Sequence, residues 1–534
     1  MNASSETKLK RATRAASTAV VPRKIQSSSG LGTSAEEVGD LFTGLPYHVT
    51  FMKHSYDPER LRPSTSPARS LIGPGLLGLS LFGMLGCSTE TPGPVPLKPN
   101  ILLIAVDTLR ADHLGAFGYE RNTTPNIDEL VEKSLAFSRA YAPSPWTKPS
   151  VASIHTGLFP TAHTVERPHS ALPSDVVTLA EILKGEGWQT ASVTSNMLLD
   201  ERYGYSQGFD SYDSGDAQGH RYVSTPGITA KAKQHLADFA NTEEPFFLSL
   251  LYFDPHYDWR NHGLGIAAKT AGRLNGLETI KEMRDMAATA PGMSEEEIGN
   301  IRDRYDEEIQ FTDAGIGQVL AELNRLGLGD NTIVVFTADH GEEFLEHGWL
   351  GHTRFLFEGM IHVPLSVFDP RQGTPPAKPL DTPVSTVSVT PTIVELAGLD
   401  HVKYAFGAPS LAPLFGAVDD FPFGPVFSEV NFVAGDKVNA EKESHLMGVI
   451  DGDIKFIRHT NKPIFEAFNT RTDPLETLNL LREPEAFPLM QRYKSLISGW
   501  KQEQIERAYE PRKVPYTKDD LEVLRALGYL DDGH

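Results

Sequence analysis

The chain has almost no cysteine and little positive charge. Its 534 residues include one cysteine, Cys87, which excludes an intramolecular disulfide. The formal net charge is −21, and the body of the sequence after residue 86 shows no basic stripe. Nucleic acid is therefore not an expected partner, because proteins that bind it usually present clustered Lys and Arg.

The sequence also lacks a comfortable membrane-spanning helix. Its strongest apolar run, 71–86, is short and rich in glycine, follows Arg62 and Arg69, and ends at Cys87. This is the layout of a signal peptide. The cysteine after Met-Leu-Gly resembles a bacterial lipoprotein cleavage site, although Met84 stands where leucine is usual. We expect lipidation of Cys87 and an exported protein anchored to the membrane on its periplasmic or cell-surface side. The alternative is an uncleaved anchor with a chance cysteine.

The N-terminal part divides into three segments. Residues 1–51 are rich in Ser, Ala and basic residues and lack an apolar period, and Met52 would start a signal of more conventional length. We therefore interpret 1–70 as disordered or as the product of a misassigned start codon. The lipoprotein-type signal segment is 71–87. A proline-rich tether, 88–99, connects it to the folded part.

The folded part divides into a large and a small region. Apolar strand patterns alternate with amphipathic helix patterns over 100–415, which predicts a parallel α/β sheet. Within it, 262–300 is rich in Ala, Gly and Met, matches no core element, and is assigned to substrate selection or a lid. Shorter strand patterns over 416–534 predict an antiparallel C-terminal subdomain with closing helices.

Thr147 lies where a helix is expected to begin. The stretch 144–157, SPWTKPSVASIHTG, places Pro149 at the first helical position and Gly157 at the helix end. A helix N-terminus favours an anion, so the Thr147 hydroxyl would face a bound phosphate or sulfate. Taken alone, the pattern favours a simple N-cap.

Two buried-strand patterns change that interpretation. Asp107 follows the apolar run that begins at Asn100, and Asp339 and His340 follow the one that begins at Asn331. Open α/β sheets bind ligands at the carboxyl edge of parallel strands. Carboxylate and imidazole groups at this edge, near a helix-start hydroxyl, suit a divalent cation.

Several short sequence motifs, in the same order along the chain, resemble those of the sulfatase family of the alkaline-phosphatase superfamily. They are Asp107, Thr147 two residues before Pro149, HTGLFPTAH at 155–163, Pro255-His256, ADHGE at 338–342, HVPL at 362–365, TPTIVELAGL at 390–399 and TDPLETLNL at 472–480. The resemblance covers about Pro99 to the C-terminus. It implies an α/β fold with a large mixed, mostly parallel sheet flanked by helices, and a small C-terminal α+β subdomain.

The resemblance also implies a metal site. One divalent ion would be held by Asp107, Thr147, Asp339 and His340, with an anionic ester as substrate. A second aspartate usually follows the first in this family, but Thr108 stands there. The imidazole ligand and the missing carboxylate favour Mn or Zn, with Ca or Mg as alternatives.

Two further histidines are implied to be catalytic. His256 matches a family histidine that meets the transferred group and the leaving oxygen, and His352 occupies the place of a substrate-binding lysine. A histidine can donate to an anion or protonate a departing alkoxide. Lys148 and Asn196 are candidate substrate-binding residues, whereas Arg110 is assigned a structural role.

The nucleophile position departs from the sulfatase pattern. Family sulfatases carry Cys or Ser there, oxidised to formylglycine, and an Arg four residues on; this chain has Thr147 and Val151. Oxidation of a secondary alcohol gives a ketone, so the aldehyde-hydrate route is closed. Ser-Asn-Met at 195–197 replaces the family's Lys-Trp-His. The remaining pattern is similar to the threonine-nucleophile branch, which includes lipoteichoic acid synthases and phosphoethanolamine transferases, with phosphonate monoester hydrolases as metal-site relatives.

Three functions stay open at this point. The leading hypothesis is a metal-dependent hydrolase or transferase of phosphate esters, diesters first, or of sulfate esters, through a covalent Thr147 intermediate. The second is a sulfuric ester hydrolase of the arylsulfatase kind. The third is a non-catalytic lipoprotein that keeps the fold as a binding module. Retention of Asp107, Asp339, His340 and His352 argues against the third, because a decayed site should lose its metal ligands first.

Overall fold

The computed structural model describes residues 98–216, 223–260, 262–266, 274, 279–289, 292–416, 421–433, 443–518, 521 and 524. The segment 1–70, the predicted signal segment with Cys87, nearly all of the tether and part of 262–300 lie outside these residues. So does most of 518–527, where the sequence predicts one of the closing helices. In the part that is described, no helix is long and apolar enough to cross a membrane.

Strands and helices alternate through most of the chain, as the sequence predicts. The strands are Asn100–Val106 (β1), Leu135–Tyr141 (β2), Ser170–Ala171 (β3), Gln189–Thr194 (β4), Ser211–Asp213 (β5), Phe246–Tyr252 (β6), Thr332–Ala338 (β7), Glu343–Phe344 (β8), Leu350–Gly351 (β9), His362–Phe368 (β10), Val384–Ser385 (β11), Val426–Val433 (β12), Glu443–Asp451 (β13), Ile454–His459 (β14), Phe465–Asn469 (β15) and Arg512–Lys513 (β16). The α-helices are Pro125–Glu132 (α1), Thr147–Thr156 (α2), Pro160–His163 (α3), Leu179–Gly185 (α4), Thr225–Phe239 (α5), Ile280–Ala287 (α6), Glu295–Arg325 (α7), Glu358–Ile361 (α8), Val389–Leu396 (α9) and Phe487–Glu506 (α10).

Eight strands form the main sheet in the order β11-β2-β10-β7-β1-β6-β4-β5. All neighbouring pairs are parallel except those of β10, which is antiparallel to β2 and β7. The predicted fold class, a large mixed and mostly parallel sheet flanked by helices, is thus confirmed.

Strand β1 is buried on both faces. Ile101 and Leu103 pack into an apolar cluster with residues of α4 and α9. Leu102 and Ile104 point to the other face and pack with residues of α1, α5 and α7. This two-sided burial explains the continuous apolar run, because alternate side chains of a strand face opposite layers.

The C-terminal region forms a four-stranded antiparallel sheet, β12-β13-β14-β15. Gly452, with φ of 60°, lies in the turn between β13 and β14. Lys455 is fully buried and pairs with Glu358 at 2.7 Å and Glu476 at 2.8 Å. Because Glu358 belongs to the large region, 100–415, this charged cluster connects the C-terminal sheet to that region.

Strand β12 also contacts the loop that precedes α2. The Glu429 N–H donates to the Pro143 carbonyl at 2.8 Å, and the Ser428 hydroxyl donates to the Ala142 carbonyl at 2.7 Å. The Trp146 ring meets the Phe432 ring edge-on at 5.4 Å. The loop leading to Thr147 is therefore supported by the C-terminal sheet.

Candidate active site

The register of the central strands places two carboxylates side by side. β1 and β7 pair in parallel with Val106 opposite Ala338, so the next residue of each strand, Asp107 and Asp339, leaves the sheet at the same edge. The Thr108 N–H donates to Asp339 Oδ1 at 3.2 Å. Ligand atoms of Asp107, Asp339 and His340 all lie within 4.8 Å of one another, which brings three of the four predicted metal ligands together.

Thr108 turns the chain sharply after Asp107. Its φ of 57° lies in the left-handed region, which a β-branched residue seldom adopts. Tyr305 of α7 holds the turn: its hydroxyl donates to the Thr108 carbonyl at 2.7 Å and accepts from the Arg110 N–H at 2.9 Å. Strained backbone of this kind often lies at functional sites. Here it directs the Thr108 N–H toward Asp339.

The electrostatics of this cluster favour a cation. Burial raises the pKa of Asp107 well above its usual range, and the charge of Asp339 adds to the effect. Burial also raises the pKa of Asp339. Asp107 Oδ1 and Asp339 Oδ2 are buried and accept no hydrogen bond from the described residues. Two adjacent buried carboxylates, each with an oxygen atom that accepts no hydrogen bond from the described residues, suit a divalent ion.

His340 presents one ring nitrogen to the carboxylates. Its Nδ1 lies 2.8 Å from the Gly341 carbonyl, which can only accept, so Nδ1 carries the proton. The Nε2 atom is then a lone-pair donor, and it lies 3.5 Å from both Asp107 Oδ1 and Asp339 Oδ2. Burial lowers the pKa of His340, which favours the neutral ring that binds a metal.

Thr147 is the first residue of α2, and its hydroxyl faces this cluster. Thr147 Oγ1 lies 3.3 Å from His340 Nε2 and 3.5 Å from Asp107 Oδ2. The N-cap is Trp146 rather than Thr147, and no side chain caps the helix. The Thr147 side chain therefore does not serve as the simple cap that its local sequence favours.

Asn196 lies in the same cluster, and its predicted role in substrate binding stays a prediction. Its Nδ2 donates to Asp107 Oδ2 at 2.7 Å and lies 3.4 Å from Thr147 Oγ1. The Leu198 N–H donates to Asn196 Oδ1 at 2.9 Å, which fixes the orientation of the amide. Asn196 thus directs its donors at Asp107 and Thr147.

Lys148 is held elsewhere. Its side chain is fully buried, donates to the Pro168 carbonyl at 2.6 Å, and lies 3.2 Å from the centre of the Tyr203 ring. Val151, at the position of the family arginine, packs into an apolar cluster. Lys148 is thus directed at the Pro168 carbonyl and the Tyr203 ring, and substrate binding by this residue stays a prediction.

The two predicted catalytic histidines lie next to each other beside His340. The ring centres of His256 and His352 are 4.9 Å apart, and those of His340 and His352 are 4.5 Å apart. The ring of Tyr257 stacks on His352 at 5.0 Å and lies 4.1 Å from His256. All of these rings are buried, so the cluster can supply proton donors and acceptors away from bulk water.

Glu342 is a site residue that the sequence interpretation quoted in the ADHGE phrase without giving it a role. Its Oε1 lies 3.0 Å from His352 Nδ1, and both side chains are fully buried. Burial raises the pKa of Glu342 well above its usual range, while the positive charges of Arg284 and Arg110 oppose the shift. The contact fixes the ring of His352 and turns its Nε2 away from Glu342.

Fold and site together define an α/β protein with a large, mostly parallel sheet, an acidic cluster at the carboxyl edge of its central strands and a hydroxyl at a helix start. The model of the sulfatase family matches residues 99–399. The chain therefore belongs to the sulfatase family. Members of this family are metal-dependent enzymes, and the triad of Asp107, Asp339 and His340 provides a possible site for the ion.

Several relatives are sulfatases. An ulvan-active sulfatase of Formosa agariphila is 27% identical over 356 residues, 61% of this chain and 67% of the relative. Human iduronate 2-sulfatase is 26% identical over 422 residues, 63% of this chain and 76% of that protein. The choline-sulfatase of Rhizobium meliloti is 25% identical over 447 residues, 72% of this chain and 83% of that protein.

Solved structures show the same fold. The phosphonate monoester hydrolase of Agrobacterium radiobacter superposes with a TM-score of 0.63 at 18% identity, covering 78% of this chain and 100% of that one. A 2-O GAG sulfatase superposes with a TM-score of 0.63 at 21% identity, covering 78% and 95%. At such identities the likeness extends to the fold alone.

Proposed function

We propose that this sulfatase-family protein hydrolyses or transfers anionic esters through a covalent intermediate on Thr147. The observation that carries the proposal is the position of Thr147 Oγ1 at the start of α2, within 3.5 Å of both Asp107 and His340. A hydroxyl in this place can attack a phosphorus or sulfur atom held over the helix N-terminus. The site then resembles the threonine-nucleophile branch of the superfamily.

Each residue of the site has its own role in the proposed reaction. Asp107, Asp339, His340 and the Thr147 hydroxyl would hold one divalent ion, with Mn or Zn favoured by the imidazole ligand. Such an ion supplies positive charge that lowers the pKa of a nearby hydroxyl and offsets charge on the transferred group. Asn196 directs an amide N–H at Thr147 Oγ1 and Asp107. It is placed to orient the nucleophile or to donate to an ester oxygen.

Two displacements complete the reaction. In the first, the Thr147 hydroxyl gives its proton to Asp107 Oδ2, 3.5 Å away, a bond forms between Oγ1 and phosphorus or sulfur, and the ester bond to the leaving alcohol breaks. A histidine, His256 or His352, gives the departing oxygen its proton. In the second, that histidine takes a proton from water or an acceptor alcohol, which attacks the same atom, and the released Thr147 oxygen takes its proton back from Asp107. Glu342 keeps the His352 ring oriented throughout.

Phosphate diesters suit this site better than sulfate esters. A formylglycine hydrate expels sulfate by reforming its carbonyl, but a modified threonine must be released by a second displacement, and metal-assisted displacement at phosphorus serves this route well. Val151 also removes a positive charge that family members place near the transferred group. A diester with one negative charge needs less compensation than a dianion. The sulfuric ester hydrolase remains the second candidate, because the relatives of known activity include ulvan-active, choline and iduronate 2-sulfatases.

A substrate panel separates the two candidates. We expect 4-nitrophenyl ethyl phosphate to be turned over with a higher kcat/KM than 4-nitrophenyl phosphate or 4-nitrophenyl sulfate, in Mn or Zn. Thr147→Ala serves as the control for contaminating activity in each assay. Efficient hydrolysis of the sulfate without turnover of the diester would establish the sulfuric ester hydrolase instead. Absence of Thr147-dependent turnover on every ester would leave the binding-module hypothesis.

We also propose that the protein is exported and anchored through lipidated Cys87, on the strength of its place after the apolar segment 71–86. Mass spectrometry of membrane-extracted protein should find an N-terminal peptide that begins at a diacylated Cys87. Cys87→Ser is the matched control and should leave the protein unprocessed. An intact, unmodified peptide spanning residues 70–90 in the mature protein would refute lipidation.

A further inference from the structure

Arg284 brings a positive charge to the edge of the histidine cluster. It lies on α6, within the segment 262–300 that the sequence assigns to substrate selection or a lid. Its guanidinium carbon is 5.4 Å from the centre of the Tyr257 ring and 4.7 Å from that of Trp349. Because the Tyr257 ring stacks on His352, one aromatic ring separates this charge from a predicted catalytic residue.

Trp349 connects the charge to the loop that carries His352. Its Nε1 donates to the His352 carbonyl at 3.3 Å, and Arg284 Nε donates to the Leu350 carbonyl at 2.6 Å. The guanidinium carbon of Arg354 lies 4.1 Å from the centre of the Trp349 ring. Two guanidinium groups from separate segments therefore meet at one indole beside the site.

The setting of Arg284 differs from that of its neighbour on the same helix. Lys281 is exposed and pairs with Asp285 at 3.3 Å. Arg284 is partly buried, and no carboxylate among the described residues forms an ion pair with it. The positive charge of Arg284 acts on the buried Glu342 carboxylate and on Asp258, while its Nε donates to a backbone carbonyl. The terminal N–H groups of the guanidinium are further donors that can serve an anionic group of a ligand.

The segment that carries Arg284 is joined to the catalytic loop. Asp258, two residues after His256, accepts a hydrogen bond from the Ile280 N–H at 2.5 Å. Ile280 and Met283 are buried in the main apolar cluster. Helix α6 is thus docked by its first turn and its apolar face, which gives Arg284 a defined position relative to His256.

We propose that Arg284 and Arg354 form an anion subsite beside the reacting centre, which binds a second negative group of the substrate. The substrate class is then an ester whose alcohol carries a carboxylate, sulfate or phosphate in addition to the reacting group. Guanidinium groups bind such oxyanions through paired N–H donors. This inference rests on the proposed function only in placing the reacting ester at Thr147.

Binding of unreactive sulfonates tests the subsite without turnover. Titration calorimetry on the metal-loaded full chain would compare ethanesulfonate with propane-1,3-disulfonate and butane-1,4-disulfonate. We expect at least one disulfonate to bind about tenfold more tightly than ethanesulfonate, because one additional charge-assisted hydrogen bond raises the affinity by about that factor. Arg284→Met should abolish this preference while the affinity for ethanesulfonate stays unchanged. Lys281→Met, which removes an exposed charge from the same helix, should keep it.

The remaining variants guard against a folding artefact. Arg284→Lys keeps the charge without the paired donors and should retain part of the preference, and thermal melts would show that α6 stays docked. Equal affinities for mono- and disulfonates in the wild type, or an unchanged preference in Arg284→Met, would overturn the subsite. Turnover of simple esters in that case leaves the proposed function standing. A preference for disulfonates without turnover of any ester would instead refute the proposed function and support the subsite.

Discussion

Replacing Thr147 with alanine should lower kcat/KM for any ester substrate by roughly three orders of magnitude or more, because the covalent route loses its nucleophile. The substitution removes the Oγ1 atom that lies 3.3 Å from His340 Nε2. Initial rates with a 4-nitrophenyl ester, together with elemental analysis of the same sample, would measure the effect. Metal content should fall only in part, since Asp107, Asp339 and His340 remain.

Two variants make this result specific. Thr147→Ser keeps a hydroxyl and should retain some activity, and it should yield a phosphorylated or sulfated peptide after acid quenching. Thr156→Ala removes the other threonine of α2, whose hydroxyl donates to the Ala152 carbonyl at 2.7 Å. It should stay within a few-fold of the wild type. Near-normal turnover in Thr147→Ala would mean that another group attacks the ester.

Asp339→Asn should abolish metal binding and, with it, activity. The substitution keeps Oδ1, which accepts from the Thr108 and His340 N–H groups at 3.2 and 2.8 Å, but removes the negative charge. We expect about one divalent ion per chain in the wild type and none in the variant by elemental analysis. Wild-type protein should melt at a lower temperature after chelation, because a ligand that binds the native state stabilises it.

The sign of the stability change adds a second criterion. Without metal, Asp107 and Asp339 form a buried pair of like charges, so Asp339→Asn should melt higher than the chelated wild type. With metal the order should reverse. Asp313→Asn is the control: this buried carboxylate accepts from the N–H groups of Asn126 and Ile127, and its loss should leave metal content unchanged. Metal-free wild-type protein that keeps full turnover in a chelator would contradict the assignment.

The residues that sequence places well are those tied to strand ends. Asp107, Asp339 and His340 follow apolar runs that could only be central strands, and parallel neighbours must release their next residues at one edge. Asn196 follows the same logic at the end of β4. Thr147 and His340 are 193 residues apart in the chain. No local pattern links residues at that separation, so the proximity of Thr147 to these groups was predicted from the family resemblance.

Helix boundaries were placed less well, for identifiable reasons. The proline rule put the start of α2 at Pro149, but the helix begins at Thr147. Proline is tolerated anywhere in the first turn, where its missing N–H has no acceptor to lose. The amphipathic pattern of 175–187 predicts a helix over that whole stretch, but α4 begins only at Leu179, because Thr178 and Glu181 form a capping box. The sequence pattern T-x-x-E at 178–181 indicates such a capping box.

Contacts between distant polar groups could not be read from the chain. Glu342 was visible in a family phrase, but only the structure shows that its carboxylate meets His352. Arg284 lies in the segment 262–300, which the sequence matched to no core element, and its relation to Tyr257 depends on how α6 docks. Lys148, adjacent to Thr147 in sequence, points instead to the Pro168 carbonyl. Adjacency along the chain does not determine side-chain direction at a helix start.

The hydrogen bonds from β12 to the loop before Thr147 bear on how the enzyme can be divided. A chain cut at the predicted boundary, 415, would retain Asp107, Thr147, Asp339 and His340. It would also lose the Glu429 and Ser428 donors to Pro143 and Ala142. The loop before Thr147 would then exchange two protein partners for water. A trimmed fragment, or a fusion inserted at that boundary, would therefore keep every predicted metal-binding side chain and still misplace the Thr147 hydroxyl.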